Sequence, residues 1–293
     1  MKADLHLHTW YSDGTDSPSR VVERAAALGF DWMAITDHDT LGGVAEAMEA
    51  GRIHGVRVMP GVEITAQYRR QELHLLAYFR AEENAGAGWR HPDLAQELET
   101  DVQRRWVRAE QIVKRLNQLG VPLTMEDVHQ QIRLQPSLSQ NASSTPVIHV
   151  LGRPHIAAAL LAGGHVGSLD EAFARYLKRG RAAWVDKERT ESRKVISLIH
   201  RLGGVIVLAH PGLIRDEAMP DHLLQEEIDG VEAFHSRHAP ARSARLQSWA
   251  HERALLVTGG SDCHGMLKGE PLMGRIELSG TDLDRLLERL AGS

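Results

Sequence analysis

The sequence predicts an α/β barrel that carries a mostly helical insertion. Seven short apolar segments are typical of buried strands, and most are separated by stretches with the apolar spacing of helices. This alternation predicts a parallel sheet with right-handed crossovers, and seven strands favour a barrel over an open sheet. A chain of 293 residues with 42% hydrophobic content is long enough for one barrel and an inserted module.

The strand and helix predictions follow from local patterns along the chain. The strands are expected at about 4–9, 31–36, 56–65, 72–79, 204–209, 230–234 and 254–261. Helices are expected at about 17–29, 40–54, 192–202, 242–253 and 281–290. The first helix is the clearest, because Ser17 is an N-cap residue, Pro18 suits the first helical position and Gly29 ends the apolar face.

The strand pattern stops between about residues 80 and 203, which is too long for a plain loop in a compact domain. Residues 94–119 and 124–132 have helical patterns, Pro136 to Pro146 has a loop composition, and a further helix opens at Gly152. We therefore expect a barrel of residues 1–93 and 166–293, with residues 94–165 as a helical insertion over the barrel mouth, where loops after parallel strands emerge.

Composition limits the possible partners and location. Thirty-four basic and 39 acidic residues give a formal net charge of −5, so no global field attracts nucleic acid. The single Cys263 excludes an intramolecular disulfide framework. The N-terminus is charged at once and lacks the apolar run of a signal peptide, and no stretch has the length of a spanning helix. We expect a cytoplasmic protein with no membrane association and no protein partner.

The first strand candidate contains two histidines that alternate with leucines. In a strand, His6 and His8 leave the same face, and Asp13 follows in the next loop. This arrangement could be half of a metal site or the polar, solvated face of an N-terminal strand. The later strands decide between these, because most of them also end near a histidine or a carboxylate.

These polar residues at strand ends predict a metal centre at the C-terminal face of the barrel. The candidates are His6, His8, Asp13, His38, Glu63, His74, His210, His235, Asp262 and His264. One such residue alone is more often a buried polar residue whose hydrogen bonds are made within the core. Several that converge on one rim need partners, because buried carboxylates and imidazoles repel or lose solvation. Divalent cations satisfy them, and ligands without thiolate favour Mn²⁺, with Zn²⁺ or Fe²⁺ as alternatives.

The same segments together resemble the polymerase and histidinol phosphatase (PHP) family of metal-dependent phosphoesterases. The matching motifs, in order, are HLHT with SDG, TDHD, GVEIT, the histidine of ELHLLAY, AHPG and SDCHG. The resemblance implies a distorted (β/α)₇ barrel with two or three metal ions. It implies one ion held by His6, His8, Glu63 and Asp262, a second by Asp13, His38 and His264, and a third by Glu63, His74 and His210.

The resemblance also implies roles in catalysis. The nucleophile would be a metal-bound hydroxide, and Asp13 or His264 could assist proton transfer. His235 ends a strand as His210 does, so it could replace His210 at the third ion or contact the transferred phosphate.

Within the family, the segments GRPHIA at 152–157 and YLKRGRAAWV at 176–185 resemble the nucleoside 3′,5′-bisphosphate phosphatase and RNase AM subgroup. This implies removal of the 3′-phosphate from a nucleotide such as pAp, or trimming of short RNA from its 5′ end. Arg153, His155 and Lys178 are candidates for binding the second phosphate, but they could equally belong to an ordinary helix start and a solvated basic face.

Three alternatives remain open at this point. A histidinol phosphatase or a phosphodiesterase could use the same centre. A non-catalytic PHP module is disfavoured by the complete set of ligands and, as part of a polymerase, by the absence of further chain after the barrel. An amidohydrolase is disfavoured because no lysine ends a strand candidate where a carbamylated bridge would lie, and Glu63 fills that role.

Overall fold

The computed structural model describes residues 1–81, 88–133, 150–266 and 270–292. The chain forms two compact units. The first comprises Met1–Leu98 and Arg189–Ser293, and the second comprises Glu99–Glu188.

The first unit contains a nine-stranded mixed sheet. Its strands are β1 (Lys2–Leu7), β2 (Trp32–Ile35), β3 (Arg57–Tyr68), β4 (Gln71–Tyr78), β5 (Thr190–Glu191), β6 (Val205–Leu208), β7 (Gly230–His235), β8 (Leu256–Gly260) and β9 (Leu278–Ser279). The order is β8-β7-β6-β4-β3-β2-β1-β9, and β5 pairs with β3. The seven predicted strands are therefore present, with two short additional ones.

The sheet nearly closes into a barrel where β8 meets β1. Leu7 and Cys263 form a parallel bridge. The His8 amide donates to the Cys263 carbonyl and the Asp262 amide donates to the His6 carbonyl, both at 3.0 Å. This closure brings the first strand candidate of the sequence beside the last one.

One of the seven predicted strands departs from the predicted parallel sheet, and the short additional strand β9 is also antiparallel to its neighbour β1. β4 runs antiparallel to both β3 and β6, whereas β1, β2 and β3 are parallel to one another, as are β6, β7 and β8. The cause is local, because only Arg69 and Arg70 separate β3 from β4, and both have positive φ, as a two-residue hairpin turn requires. His74 consequently lies in the first half of its strand and pairs with Thr65, beyond Glu63 along β3.

Helices of the first unit pack around this sheet. They are α1 (Pro18–Ala27), α2 (Val44–His54), α7 (Ser192–Arg201), α8 (Met219–Leu224), α9 (Pro240–Glu252) and α10 (Thr281–Ala291), with a 3₁₀ turn at Pro211–Leu213. Ser17 caps α1 by accepting from the Arg20 amide, as the sequence predicts. The buried faces of these helices contribute to two apolar clusters, which include Leu5, Val205 and Leu286 in one and Leu7, Val22 and Met33 in the other.

The second unit is helical and has its own apolar core. Helix α3 (Pro92–Gln118) enters it from the first unit, and α4 (Met125–Arg133), α5 (Arg153–Ala162), α6 (Leu169–Ala172) and a π-helical turn at Phe173–Leu177 follow. Its boundaries differ from the predicted 94–165, since the core includes Val166, Leu177 and Val185. These apolar side chains make residues 166–188 part of the helical unit. The predicted loop at Pro136 to Pro146 lies outside the described residues.

Among the residues that the structure describes, no helix is both long enough and apolar enough to cross a lipid bilayer.

The hairpin turn provides a test of the antiparallel strand. Arg70 has φ +69°, a conformation that costs a side-chain-bearing residue about 1 kcal/mol, so Arg70→Gly should raise the free energy of unfolding by about that amount. Gln71→Gly, at the adjacent first residue of β4, should lower it by about 0.5–1 kcal/mol, because glycine has more backbone freedom to lose in a strand. Denaturant titration of the full chain measures both changes in the free energy of unfolding. Changes of the same sign in the two variants would contradict the turn geometry.

Candidate metal centre

His6 in β1 and His8 directly after this strand both turn toward Oε2 of Glu63. Both rings are almost fully buried, with ring centroids 5.2 Å apart. Gly260 on β8 permits this arrangement, because a Cβ at that position would lie 2.3 Å from the Cβ of His6. The close approach of β8 to β1 thus depends on glycine at this position.

The loop after β1 is held by the buried carboxylate of Asp37. This carboxylate accepts hydrogen bonds from the Thr9 amide at 2.7 Å and from the hydroxyls of Thr9 and Ser12 at 2.6 Å. Because Ser12 immediately precedes Asp13, these bonds fix the segment that presents the Asp13 carboxylate. Asp37 therefore shapes the centre without being among the predicted ligands.

Glu63 lies at the middle of the centre and contacts five imidazoles. Its Oε2 is 3.3 Å from Nε2 of His6, 3.2 Å from Nε2 of His8 and 3.0 Å from Nδ1 of His38. Its Oε1 is 2.8 Å from Nδ1 of His74 and 3.0 Å from Nε2 of His210. The Glu63 side chain is 1% exposed, so its charge is balanced by these neighbours alone.

Two further carboxylates complete the cluster. Asp262 Oδ1 lies 3.3 Å from Nε2 of His8 and 3.6 Å from Nε2 of His6, while its Oδ2 lies 3.4 Å from Nε2 of His235. Asp13 Oδ1 lies 3.3 Å from Nε2 of His264, and Asp13 Oδ2 lies 3.9 Å from Nε2 of His38. The structure therefore brings together every residue that the sequence nominated as a metal ligand, with His235 among them.

Four overlapping groups have ligand atoms within 4.8 Å of one another. They are His6, His8 and Glu63; His8, Asp13, His38 and His264; His38, Glu63 and His74; and His6, His235 and Asp262. These groups differ in detail from the predicted sets, since His8 also faces Asp13 and Asp262 also faces His235. Glu63 belongs to two groups, as expected of a bridging carboxylate.

The interior of the cluster fits divalent ions. Nε2 of His6, His8 and His235, Nδ1 of His38 and Oε2 of Glu63 are buried but make no hydrogen bond. Buried polar atoms without hydrogen bonds are costly, and these nitrogens and oxygens are the atoms that would coordinate a metal. A divalent cation between these atoms would satisfy them.

The charges of the cluster lead to the same conclusion. Burial would raise the pKa of Glu63, but the surrounding imidazoles of His38, His74 and His6 outweigh burial and hold that pKa well below its usual value. The pKa of Asp262 is likewise held low against burial, mainly by His235 and His8. Burial also lowers the pKa of His38 to about 3, which leaves its imidazole neutral. Against burial, the carboxylates raise the pKa of His8 to about 10 and that of His6 well above its usual value. These two imidazoles therefore hold protons that a bound cation would displace, because metal ligands must be deprotonated.

Hydrogen bonds at the outer ring nitrogens distinguish His264 from His235. Nδ1 of His264 lies 2.9 Å from the Asp262 carbonyl, which can only accept, so this nitrogen carries a proton, and in the neutral ring Nε2 presents a lone pair toward Asp13. Nδ1 of His235 accepts from the Arg237 amide at 3.1 Å, so a neutral His235 carries its proton on Nε2. His264 is therefore suited to the role of metal ligand, whereas His235 is suited to the role of hydrogen-bond donor. The His235 ring nevertheless lies near enough to His6 and Asp262 to share a metal ion with them.

Sequence reasoning missed Glu232, which is fully buried in β7. Its Oε1 lies 2.9 Å from Nδ1 of His6, and its Oε2 accepts from the His210 amide at 2.6 Å. A lone carboxylate in an apolar strand was a usable signal, as it was for Glu63. However, Glu232 and His235 are three residues apart, which puts them on opposite faces of a regular strand, and only the register shift between Glu232 and Phe234 brings both into the cluster.

The other three nominated residues lie in the helical unit. Arg153 begins α5, its guanidinium lies over the rings of Trp184 and Phe173, and it donates to the Leu177 carbonyl at 3.2 Å. His155 is buried, and its Nδ1 accepts from the Gly152 amide at 3.0 Å, so this nitrogen serves the helix start. Lys178, next to Leu177, is exposed.

Curated relatives match most of the chain, among them three with different activities. Phosphoribosyl 1,2-cyclic phosphate 1,2-diphosphodiesterase of Eggerthella lenta is 31% identical, over 94% of this chain and 98% of that protein. The 5′-3′ exoribonuclease Rnm of Escherichia coli is 30% identical, over 89% and 84%. The 3′,5′-nucleoside bisphosphate phosphatase of Chromobacterium violaceum is 27% identical, over 94% and 91%.

A solved structure from Bifidobacterium adolescentis, whose assignment as a metal-dependent phosphoesterase is itself a prediction, has a TM-score of 0.81 and 32% identity. The match covers 99% of this chain and 98% of that one. It confirms the predicted α/β barrel class, and the relatives confirm the prediction of a hydrolase that acts on phosphoester bonds. The model of the PHP domain matches residues 4–234, and the chain belongs to the PHP domain family.

Proposed function

We propose that the chain removes the 3′-phosphate from nucleoside 3′,5′-bisphosphates, converting pAp to AMP, with Mn²⁺ as the metal. The observation that carries this proposal is the cluster of imidazoles around Glu63, Asp262 and Asp13, which has nitrogen and oxygen ligands and no thiolate. The similarity to the C. violaceum bisphosphate phosphatase over nearly all of both chains supports the choice of substrate.

The proposed ligand sets follow the geometry of the cluster. His6, His8, Glu63 and Asp262 would hold one ion. His38 and His264 would hold a second together with Asp13, and His74 and His210 would hold a third with the other oxygen of Glu63. Bound divalent ions would neutralise the negative charge of the phosphoryl oxygens and lower the pKa of bound water to near neutrality.

In this proposal His235 binds the phosphoryl group that is transferred. Its ring is buried, and its Nε2 points into the cluster, makes no hydrogen bond and carries the proton of the neutral imidazole. A donor at this position would hydrogen-bond an oxygen of the transferred phosphate as charge develops there. His210, whose Nε2 approaches Glu63 at 3.0 Å, then takes the third ligand position that the sequence left open.

Proton transfer is assigned to the pair formed by Asp13 and His264. Their 3.3 Å separation permits a proton to pass between Nε2 and Oδ1, and Asp13 is the more exposed, with 21% of its side chain open to solvent. Such a pair could deliver a proton to the leaving oxygen at the edge of the cluster. Each of the two residues could also be occupied as a ligand, so this role belongs to Asp13 and His264 jointly.

We assign the second phosphate of the substrate to Arg153, His155 and Lys178. Arg153 offers a planar guanidinium that is oriented by Trp184 and the Leu177 carbonyl, and Lys178 follows Leu177 directly. An oriented guanidinium binds phosphate bidentately, while lysine adds a mobile point charge. His155 would contribute through Nε2, because its Nδ1 is already bonded to the Gly152 amide.

A 5′-3′ exoribonuclease activity on short RNA is the second candidate, favoured by the similarity to Rnm of E. coli. A phosphodiesterase activity on a cyclic phosphate is the alternative suggested by the E. lenta relative. A panel of pAp, a 5′-phosphorylated trinucleotide, a cyclic phosphodiester and histidinol phosphate separates them. The proposal expects the highest kcat/KM with pAp, and a preference for any of the others would replace it.

A cytoplasmic location completes the proposal and accords with an intracellular nucleotide substrate.

The metal requirement is tested by His8→Ala. Loss of this imidazole removes a neighbour of both Glu63 and Asp262, so phosphate release from pAp should fall by about 1,000-fold or more, as expected when metal stabilisation of several kcal/mol is lost. Chelation of the wild-type enzyme should have the same effect and should be reversed by Mn²⁺. His54→Ala, on an exposed helix end, is the control and should retain full activity. Wild-type activity that survives chelation would exclude a metal mechanism.

The role of His235 is tested by measuring metal content and turnover together. His235→Ala should lower kcat by about 100-fold, because a donor to the transferred phosphoryl group is lost, while the Mn²⁺ content per chain stays at the wild-type value. His235→Gln, which keeps an N–H donor, should recover part of the loss. A reduced Mn²⁺ content in both variants would instead make His235 a metal ligand.

The role of Arg153 is tested with two substrates. Arg153→Lys should raise KM for pAp by about 10-fold, the worth of one lost charge-assisted hydrogen bond, and leave KM for 3′-AMP unchanged. Arg175→Lys in the same unit, where Arg175 is exposed and paired with Glu171, is the matched control and should change neither value. Equal increases with both substrates would show that Arg153 does not select for the second phosphate.

A further inference from the structure

A carboxylate outside the proposed ligand sets joins two of the proposed metal positions. Glu232 is fully buried in β7, and both of its oxygens are used, one at the His6 ring and one at the His210 amide. These two histidines belong to different proposed ions, the first and the third. We propose that Glu232 is a positioning residue that sets the affinity of the centre for metal through both histidines.

The contact with His6 determines which ring nitrogen faces the cluster as a lone pair. An ionised carboxylate can only accept, so Nδ1 of His6 carries a proton in the 2.9 Å contact with Glu232. In the neutral ring, Nε2 is then unprotonated, and this atom is buried beside Glu63 and Asp262 without a hydrogen bond. A carboxylate behind a coordinating imidazole also makes the ring a better donor to a cation and prevents its rotation.

The contact with His210 holds an unfavourable backbone conformation. His210 has φ +34° and ψ +51°, in the left-handed region that non-glycine residues rarely occupy. The 2.6 Å hydrogen bond from its amide to Glu232 compensates for this cost and fixes the turn that directs the ring toward Glu63. One carboxylate thereby orients a side chain on β1 and the backbone after β6.

The same strand provides a matched control. Asp229 immediately precedes β7 and makes the same two kinds of contact, with Nε2 of His200 at 2.8 Å and with the Ile206 amide at 2.9 Å. It contacts none of the proposed ligands in these bonds. Asp229 differs in that its side chain is 7% exposed and also pairs with Arg289 at 3.1 Å. Replacement of Asp229 therefore removes a largely buried carboxylate that bonds a histidine and an amide, without touching the centre.

The experiment compares Mn²⁺ binding by the metal-free full chain in wild-type, Glu232→Gln and Asp229→Asn forms, by calorimetric titration with MnCl₂. Glu232→Gln should weaken Mn²⁺ binding by about 10- to 100-fold, as for other partners behind metal-bound histidines, while Asp229→Asn should keep the wild-type affinity. Both variants should have a lower melting temperature than the wild type without metal. A loss of stability would therefore not explain why only Glu232→Gln binds Mn²⁺ more weakly. The activity of Glu232→Gln should also recover as Mn²⁺ is raised, which structural damage would not permit.

Equal Mn²⁺ affinity in the wild type and Glu232→Gln would overturn the inference and leave the proposed function intact. Because the inference rests on the proposed metal centre, a wild-type chain that binds no Mn²⁺ would overturn both. The titration contains no substrate, so an error in the proposed substrate does not affect its outcome.

Discussion

The structure depends on the burial of one carboxylate, Glu63, among imidazoles from four different parts of the chain. A charge that is 1% exposed is stable only if its neighbours balance it, and the neighbours here come from the first strand segment, from β4 and from the loops after β2 and β6. The barrel is the framework that brings these segments to one place. Glycine at position 260, the bonds to Asp37 and the bulge in β7 are local adjustments of that framework to the centre.

The antiparallel strand β4 has a functional consequence. In a fully parallel barrel, a side chain halfway along a strand would lie below the rim, away from the loops. β3 is 12 residues long and extends past the point where β2 ends, and the hairpin returns the chain along this extension. The extension and its return place Glu63 and His74 on the same part of the barrel wall, so that one carboxylate oxygen can face the histidine across the strand pair.

Much of the barrel and of the centre could be predicted from sequence, because the relevant signals are local. The alternation of His6 and His8 with leucines needs only the geometry of one strand, and Glu63 stands out as a charge within an apolar run. What could not be predicted depends on long-range pairing. The partnership of Glu232 with His6 across 226 positions and the boundary of the helical unit at Glu188 follow from packing between segments far apart in sequence. The direction of β4 is set by a local turn, but Arg69 and Arg70 are not the glycine or asparagine that mark such a turn in a sequence.

The proposed function uses two kinds of residue. Carboxylates and imidazoles of the first unit are proposed for cleavage of the phosphoester, and cationic residues of the second unit are proposed for recognition. A common hydrolytic centre with variable recognition residues is consistent with relatives that carry phosphatase, phosphodiesterase and exoribonuclease names at about 30% identity.

The central claim is that Glu63 is buried because it bridges divalent cations. Anomalous diffraction from crystals soaked in MnCl₂, recorded at the manganese absorption edge, tests this directly. The account predicts anomalous peaks at bonding distance from the two carboxylate oxygens of Glu63, at positions that neighbouring imidazole nitrogens also reach. Crystals of active enzyme that show no anomalous peak beside Glu63 would contradict it.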